Sequence, residues 1–364
     1  MWAHKTRVGK EPIPAEPSEN PAAVPFLALG RVGKPRWLVP AGPCLHDDAF
    51  LGWQPYRATS RMAWTVMKSL LRWGAGRAWP MADATDINWI AALDWDALGW
   101  RQPALPEPLV YLGTPGPKRK AVVHLINRTT HACELIVKVP LTEAAKVAIE
   151  HEAETLFLLQ REGFEAAPRL VAFDEDQGVS SQTVIRGVRG SLQLTHEVGQ
   201  LLETLSRPRG SINLRRAVGP LEKEVDRLAM SARDADLMRS VLQELDDARE
   251  LPAVRVHGDF APWNIRLQNG SATLVDWEDS QARGLPMHDA YHFVHITRYL
   301  FGRAPRPAFP DLGFRYPEQL GPAMLRKLEL AYLLQRLVQK LAAGDDKHSA
   351  FLLTTLRLTM AVRA

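Results

Sequence analysis

The feature that most constrains this chain is the stretch Ile265-Arg-Leu-Gln-Asn269-Gly270-Ser-Ala-Thr-Leu274. Asn-Gly accepts the positive φ angles of a type I′ turn, whose twist matches that of the strands it joins. Ile265 and Leu267 before the turn, and Ala272 and Leu274 after it, alternate with polar residues, as strands with one covered face do. The turn fixes the register: Gln268 faces Ser271, and Asn264 comes opposite Val275, beside Asp276. An amide oxygen and a carboxylate are thereby brought into one small space. Hard oxygen donors of this kind suit Mg²⁺, which keeps waters and shares the phosphate oxygens of a substrate.

Asp259 lies five residues before Asn264 in His257-Gly-Asp-Phe-Ala-Pro-Trp-Asn264. A carboxylate on the loop entering the hairpin can orient an attacking hydroxyl and accept its proton. His257 is placed to brace that loop by hydrogen bonding. Glu278 follows Asp276 by two residues, and two roles stand open for it: metal ligand or exposed carboxylate. Asp289, at an expected helix start, is placed to fasten the same loop. Trp263 and Trp277 read as packing residues.

A second constellation lies upstream. Lys138 interrupts the apolar strand Leu135-Ile-Val-Lys-Val139. A charge in such a strand needs a partner or a ligand, unless an edge position lets it reach solvent along its stem. The next segment, Thr142 to Arg161, has helical periodicity, with Ala145, Ile149, Leu156 and Leu159 on one stripe and Gly163 just beyond its end. Glu152 falls on that stripe, whereas Glu150 and Glu154 point away. A Lys138–Glu152 ion pair would hold the ammonium toward phosphate oxygens. The turn Gly113-Thr-Pro-Gly116-Pro-Lys-Arg-Lys120 precedes Lys138 by one strand pair and is positioned to cover nucleotide phosphates. Pro115 and Pro117 remove two amide donors from it.

The rest of the chain divides by pattern. Nine of eleven tryptophans fall within residues 1–100. That segment opens on a proline-rich run, 12–25, and contains helical periodicity from Ser60 to Trp73 and an alternation of acidic and apolar residues over 83–98. Prolines 103, 106 and 108 mark a boundary. Strands are expected at 109–112, 121–126, 132–139 and 182–185, and helices near 193–205, 219–248 and 317–342. Strands first and helices later predict an α+β chain of two lobes with a cleft between them. The expected division is a Trp-rich extension over 1–105, a nucleotide-binding lobe over 106–186, and a catalytic, acceptor-binding lobe over 187–364.

The motifs His257-Gly-Asp259-Phe-Ala-Pro-Trp-Asn264 and Val275-Asp276-Trp-Glu278, with Glu134-Leu-Ile-Val-Lys138 and His151-Glu152-Ala-Glu-Thr-Leu156, resemble those of aminoglycoside phosphotransferases and related choline-kinase-like enzymes. The resemblance covers roughly residues 107–345. It implies a bilobal protein-kinase-like fold with a small antiparallel-sheet lobe, one key helix and a larger helical lobe, and ATP between the lobes. It also implies Asp259 as catalytic base and Asn264 and Asp276 as Mg²⁺ ligands. Gly258, where most protein kinases carry Arg, points to a small-molecule hydroxyl acceptor: a sugar, a sugar-like antibiotic, an amino alcohol or a polysaccharide precursor. Glu222, Glu224, Asp226, Asp234 and Asp236 would suit a cationic acceptor, or form a solvated helix face. A nucleotide-binding regulatory protein working through its N-terminal extension is the alternative.

The formal charge of +4 comes from scattered residues, so no nucleic-acid partner is expected. Two cysteines form no disulfide or metal framework. The lack of a membrane-spanning run or secretory leader predicts a cytoplasmic protein.

Overall fold

The computed structural model describes residues 26–31, 34–41, 47–51, 53–72, 87–309 and 320–362. The proline-rich run, Cys44 and the start of the helix expected at 317 lie outside these residues.

A seven-stranded sheet forms the first layer. Its strands are β1 (Phe26–Arg31), β2 (Lys34–Pro40), β3 (Glu107–Leu112), β4 (Lys120–Ile126), β5 (Cys133–Pro140), β6 (Leu170–Asp174) and β7 (Val179–Thr183), in the order β1-β2-β3-β4-β5-β7-β6. All pairings are antiparallel. The sheet runs across the expected boundary near residue 105. Trp37 pairs with Tyr111 and Leu38 with Val110, so the N-terminal hairpin widens the sheet. The last strand begins three residues earlier than the 182–185 reading, and β6 was not foreseen. Its sequence, Leu-Val-Ala-Phe-Asp, mixes exposed and half-buried positions and lacks alternation.

The two faces of the sheet bury different partners. Phe26, Leu38, Val110, Val123 and Val137 pack with Trp95 and Trp100 from the 87–100 segment. Leu29, Trp37, Leu109 and Ile136 pack with Phe50 and with Trp64 of helix α1 (Ala58–Arg72). The described part of the 83–98 alternation, from residue 87, gives one short helix, α2 (Asn88–Ala91), followed by turns. Its tryptophans fill the sheet face, so packing rather than helical periodicity sets their spacing.

Helix α3 (Glu143–Arg161) joins the sheet to the second layer. Thr142 caps its start, its side chain accepting from the Ala145 N–H at 3.2 Å. Gly163 at φ +70° ends it, with the Phe164 N–H returning to the Leu159 carbonyl at 2.9 Å. Ala145, Ile149, Glu152, Leu156 and Leu159 are buried as the stripe predicts.

The second layer is mainly helical: α4 (His196–Leu205), α5 (Leu214–Arg227), α6 (Ala232–Glu244), α7 (His288–Leu300), α8 (Pro322–Ala342) and α9 (Asp346–Ala361). The single run expected over 219–248 breaks at 228–231, where Ser231 caps α6 by accepting from the Asp234 N–H. Helix α9 lies outside the expected helices, and of α7 the sequence marks the start at Asp289 but no periodicity. In α7 ten of thirteen residues are buried, polar and apolar alike, so no amphipathic contrast exists. Short strand pairs complete the layer: β8 (Val188–Arg189) beside the hairpin β12 (Ile265–Gln268) and β13 (Ser271–Leu274), β9 (Ser211–Asn213) with β10 (Glu250–Pro252), and β11 (Val254–Val256) with β14 (Gln281–Gly284).

Candidate active site

The hairpin has the register that Asn269-Gly270 dictates, with Gln268 opposite Ser271 and Ile265 opposite Leu274. The Val275 N–H then donates to the Asn264 carbonyl at 2.9 Å. Asn264 and Asp276 consequently line the same cavity, which has a volume of about 890 Å³ and lies between the sheet, the hairpin and α8.

Lys138 reaches this point from the sheet. Its Nζ lies 2.7 and 2.6 Å from the two Glu152 oxygens and 3.0 Å from Asp276 Oδ1. Lysine and glutamate are both buried. Glu152 also accepts the Trp277 N–H at 3.0 Å, so one carboxylate holds the lysine and the strand end that carries Asp276. Asp276 sits at φ +72°, a conformation disfavoured for a residue with a side chain. Burial would raise its pKa, but Lys120 and Lys138 hold the carboxyl far below its ordinary range.

Lys120 enters the sequence reading only as the last residue of the glycine turn, with no role of its own. Its Nζ lies 2.6 Å from Asp276 Oδ1 and also contacts Glu278. Burial alone would lower its pKa; Asp276, Glu152 and Glu278 together raise it, so it stays charged. Burial and the Asp276 charge push Glu278 upward, against the pull of Lys120. Glu278 is thus drawn into the site rather than exposed. Lys118 meets Asp279 at 2.5 Å, linking the glycine turn to the hairpin side of the cavity. Gly113 and Gly116 both line the cavity. The Gly113 N–H is spent on the Lys120 carbonyl at 2.9 Å, and the Arg119 N–H on Gly116 at 3.2 Å. With two prolines as well, the turn has few free amides, and the Lys118 and Lys120 ammoniums supply the positive charge there.

On the loop, the Asn264 side-chain amide donates to the Asp259 carbonyl at 2.9 Å and to Asp259 Oδ2 at 2.8 Å. His292 Nε2 lies 2.9 Å from Asp259 Oδ1, and the Tyr332 hydroxyl lies 3.1 Å from His292 Nδ1. Burial, then the nearby Arg336 charge, lowers His292 to about 4, so near neutrality its Nε2–H donates to Asp259 and its Nδ1 accepts from Tyr332. Burial pushes Tyr332 up, keeping its hydroxyl protonated. Burial would also raise Asp259, but its interactions with His292, foremost the hydrogen bond, together with His257 outweigh it and hold the carboxyl at about 2. His292 and Tyr332 were missed by the sequence reading. The available signal was Asp289-Ala-Tyr-His292, one helical turn that places a second polar side chain over the loop.

His257 does not line the cavity; it joins the loop to the end of the hairpin. Its ring is fully buried, with Nε2 donating to the Val275 carbonyl at 3.2 Å. Asp289 fastens the loop, accepting the His257 N–H at 2.7 Å and the Gly258 N–H at 3.0 Å. Gly258 has φ +84°, and a Cβ there would fall 2.1 Å from the Asp279 carbonyl oxygen. Trp277 is a packing residue, 4.7 Å from the His257 ring, whereas Trp263 lines the cavity.

The N-terminal segment is part of the cavity wall. Trp37, Phe50, Leu51 and Trp53 line it together with Val122 and Ile136. Arg189 clamps the segment to the second layer, donating to the Gln54 carbonyl at 2.7 Å and stacking 5.0 Å from the Tyr56 ring. The Tyr56 hydroxyl donates to the Gly190 carbonyl at 3.1 Å.

Among the described residues no three His, Cys, Asp or Glu side chains converge as a metal cage. The donors are nevertheless those Mg²⁺ takes when substrate phosphates complete its shell: the Asp276 and Glu278 carboxylates, and Asn264 Oδ1, whose amide nitrogen is committed to Asp259. The acidic cluster of 222–236 lies elsewhere. Asp226 and Asp236 each lie 3.3 Å from Arg239, and Asp234 pairs with Arg357.

A family model for the phosphotransferase enzyme family (APH) matches residues 120–330, more than half of the chain. This protein belongs to the phosphotransferase enzyme family. The aminoglycoside phosphotransferase APH(4)-Ia is similar in structure, with a TM-score of 0.51 at 13% identity, over 78% of this chain and 100% of that one. That likeness shows the protein-kinase-like fold. The choline kinase LicA from Streptococcus pneumoniae has a TM-score of 0.48 at 15% identity, over 69% of this chain and 92% of its own. A choline/ethanolamine kinase family protein from Mesorhizobium loti has a TM-score of 0.48 at 16% identity, over 76% and 94%. No curated protein matches by sequence. No helix among the described residues is long and apolar enough to cross a membrane.

Proposed function

We propose that this family member transfers the γ-phosphoryl group of ATP to a hydroxyl of a small polar molecule. The observation that carries this reading is the contact of Lys138 Nζ with both Glu152, at 2.6 Å, and Asp276 Oδ1, at 3.0 Å. It joins the phosphate-facing lysine of the sheet to the oxygen-donor end of the hairpin.

Lys138, oriented by Glu152, faces the donor phosphates, and Lys120 adds a second charge beside it. Asp276, Asn264 and Glu278 would hold Mg²⁺, which when bound neutralises charge between the phosphates. Asp259 receives the acceptor hydroxyl. Two of its lone pairs are taken by Asn264 and His292, which fixes the carboxylate beside Asn264, a residue of the cavity lining. As the acceptor oxygen bonds to the γ-phosphorus, the bond to the β-phosphate oxygen breaks and ADP leaves. The hydroxyl proton passes to Asp259. A carboxylate with a pKa of about 2 is a weak base, so it orients the hydroxyl and takes the proton late, as a loose phosphoryl-transfer transition state requires.

The test is ADP release and product mass with Mg-ATP and a panel of hydroxyl compounds, with Asp259→Ala as control. Acceptor-stimulated turnover that disappears in the variant is expected. ATP binding with no Asp259-dependent turnover on any acceptor would favour a regulatory role.

A further inference from the structure

The cavity extends past Gly258 and Asn264, which flank Asp259 on the loop, to α8, where two basic side chains line it. Arg336, Gln339, Lys340 and Ala343 line it. Tyr332, Arg336 and Lys340 recur every fourth residue and therefore share one helix face. The face starts at the proton acceptor, because the Tyr332 hydroxyl holds His292, which holds Asp259. Arg336 donates through Nη1 to Gln339 Oε1 at 3.1 Å, while its Nε is enclosed without a partner. The carboxylate paired with Lys340, that of Asp345, stays 3.9 Å away.

The acidic side chains lining the cavity are engaged by lysines of the glycine turn and the sheet. Asp276 is bound by Lys120 and Lys138, Glu278 by Lys120, and Asp279 by Lys118. Asp259, its side chain partly exposed on the loop between the lining residues Gly258 and Asn264, is the carboxylate placed to meet an acceptor's hydroxyl, and among the described residues no carboxylate of the lining pairs with Arg336 or Lys340. A cationic acceptor in that space would face two like charges. An anionic one would gain charge-assisted hydrogen bonds from the same two groups.

We propose that the acceptor carries a negative charge, as a hydroxy-carboxylate or hydroxylated organic phosphate does, and that Arg336 and Lys340 bind it beside Asp259. The proposal rests on the phosphotransfer reading, which places the acceptor hydroxyl at Asp259. It excludes amino alcohols and amino sugars as preferred acceptors.

Thermal shifts of the Mg-ADP complex at constant ionic strength test it. The probes are glycerate, gluconate and glycerol phosphate as anions, glycerol and glucose as neutral compounds, and choline, ethanolamine and glucosamine as cations. At least one anionic probe should raise the melting temperature where its neutral and cationic counterparts do not. Arg336→Ala should raise that probe's apparent Kd by roughly ten- to a hundred-fold, the weight of one charge-assisted contact. Lys340→Glu, at a partly exposed position, should weaken anions and strengthen cations, with its unliganded melting temperature reporting that it folds. Stabilisation by cationic probes, equal anion binding in both variants, or no shift with any anion overturns the proposal. If Mg-ADP itself gives no shift, the phosphotransfer reading fails first.

Discussion

Replacing Lys138 by methionine removes the charge that two carboxylates share. Glu152 is almost wholly buried, with 1% of its side chain exposed, so its carboxylate would lose its ammonium partner with no water to replace it. Removing one partner of a buried ion pair costs about 3–5 kcal/mol. Asp276 would keep Lys120 at 2.6 Å, which confines the damage to Glu152. Spread over a chain of this length, that cost lowers the melting temperature by roughly 4–7 °C. Adding Glu152→Gln removes the orphaned charge while its carbonyl oxygen still accepts the Trp277 N–H, now made at 3.0 Å. The double variant should recover most of the lost stability. Phosphate orientation depends on the ammonium itself, so turnover of ATP should stay reduced, by about a hundred-fold or more, in both variants. Melting curves and ADP release on the same preparations separate the two effects. A double variant that melts as low as the single one refutes the orphaned-charge argument. A double variant that regains turnover with stability shows that Lys138 serves only the fold.

Tyr332→Phe removes the hydrogen bond to His292 and loosens Asp259; kcat should fall about five-fold, equivalent to roughly 1 kcal/mol, while the KM for ATP holds. A kcat equal to wild type would show that Asp259 needs no such support. Burial lowers His124, His292 and His348 to about 4 from an ordinary 6.5. Their unfolded forms bind protons first, so stability is full above 6.5 and falls as pH drops toward 4, by up to about 1.4 kcal/mol per pH unit for each histidine. His348→Gln should flatten melting temperature against pH by about one proton; an unchanged slope contradicts the assignment. Trp53→Ala opens the cavity wall that the N-terminal segment provides and should raise the KM for ATP about ten-fold; an unchanged KM means that wall does not touch the donor.

The half of the site on the hairpin was legible because a short-range rule governs it. Asn269-Gly270 sets the register, and the register places Asn264 near Asp276 without reference to the rest of the fold. Lys138 and Glu152 were legible for a related reason: a strand and the helix directly after it leave few ways to pair a buried charge. Lys120, His292 and Tyr332 were not, since their partners lie 156, 33 and 40 residues away and no local periodicity announces them. The Trp-rich segment was recognisable as distinct but not as strands of the same sheet, because β1 and β2 are buried on both faces and show little alternation. For the acidic run of 222–236 two readings stand open in the sequence, a cationic subsite or a solvated helix face; the ion pairs of Asp226 and Asp236 with Arg239, and of Asp234 with Arg357, fit the second for those three residues.

The central claim is a transfer of phosphate from ATP to a hydroxyl at Asp259. Phosphorus NMR of Mg-ATP incubated with the protein and a mixed pool of hydroxy acids, sugars and amino alcohols observes that transfer directly. The account predicts loss of the γ-phosphate resonance and growth of a phosphate monoester resonance with the wild type. With Asp259→Asn, ATP should remain bound and intact. Monoester formation at an undiminished rate in Asp259→Asn, or ATP left whole by the wild type across the pool, would contradict it.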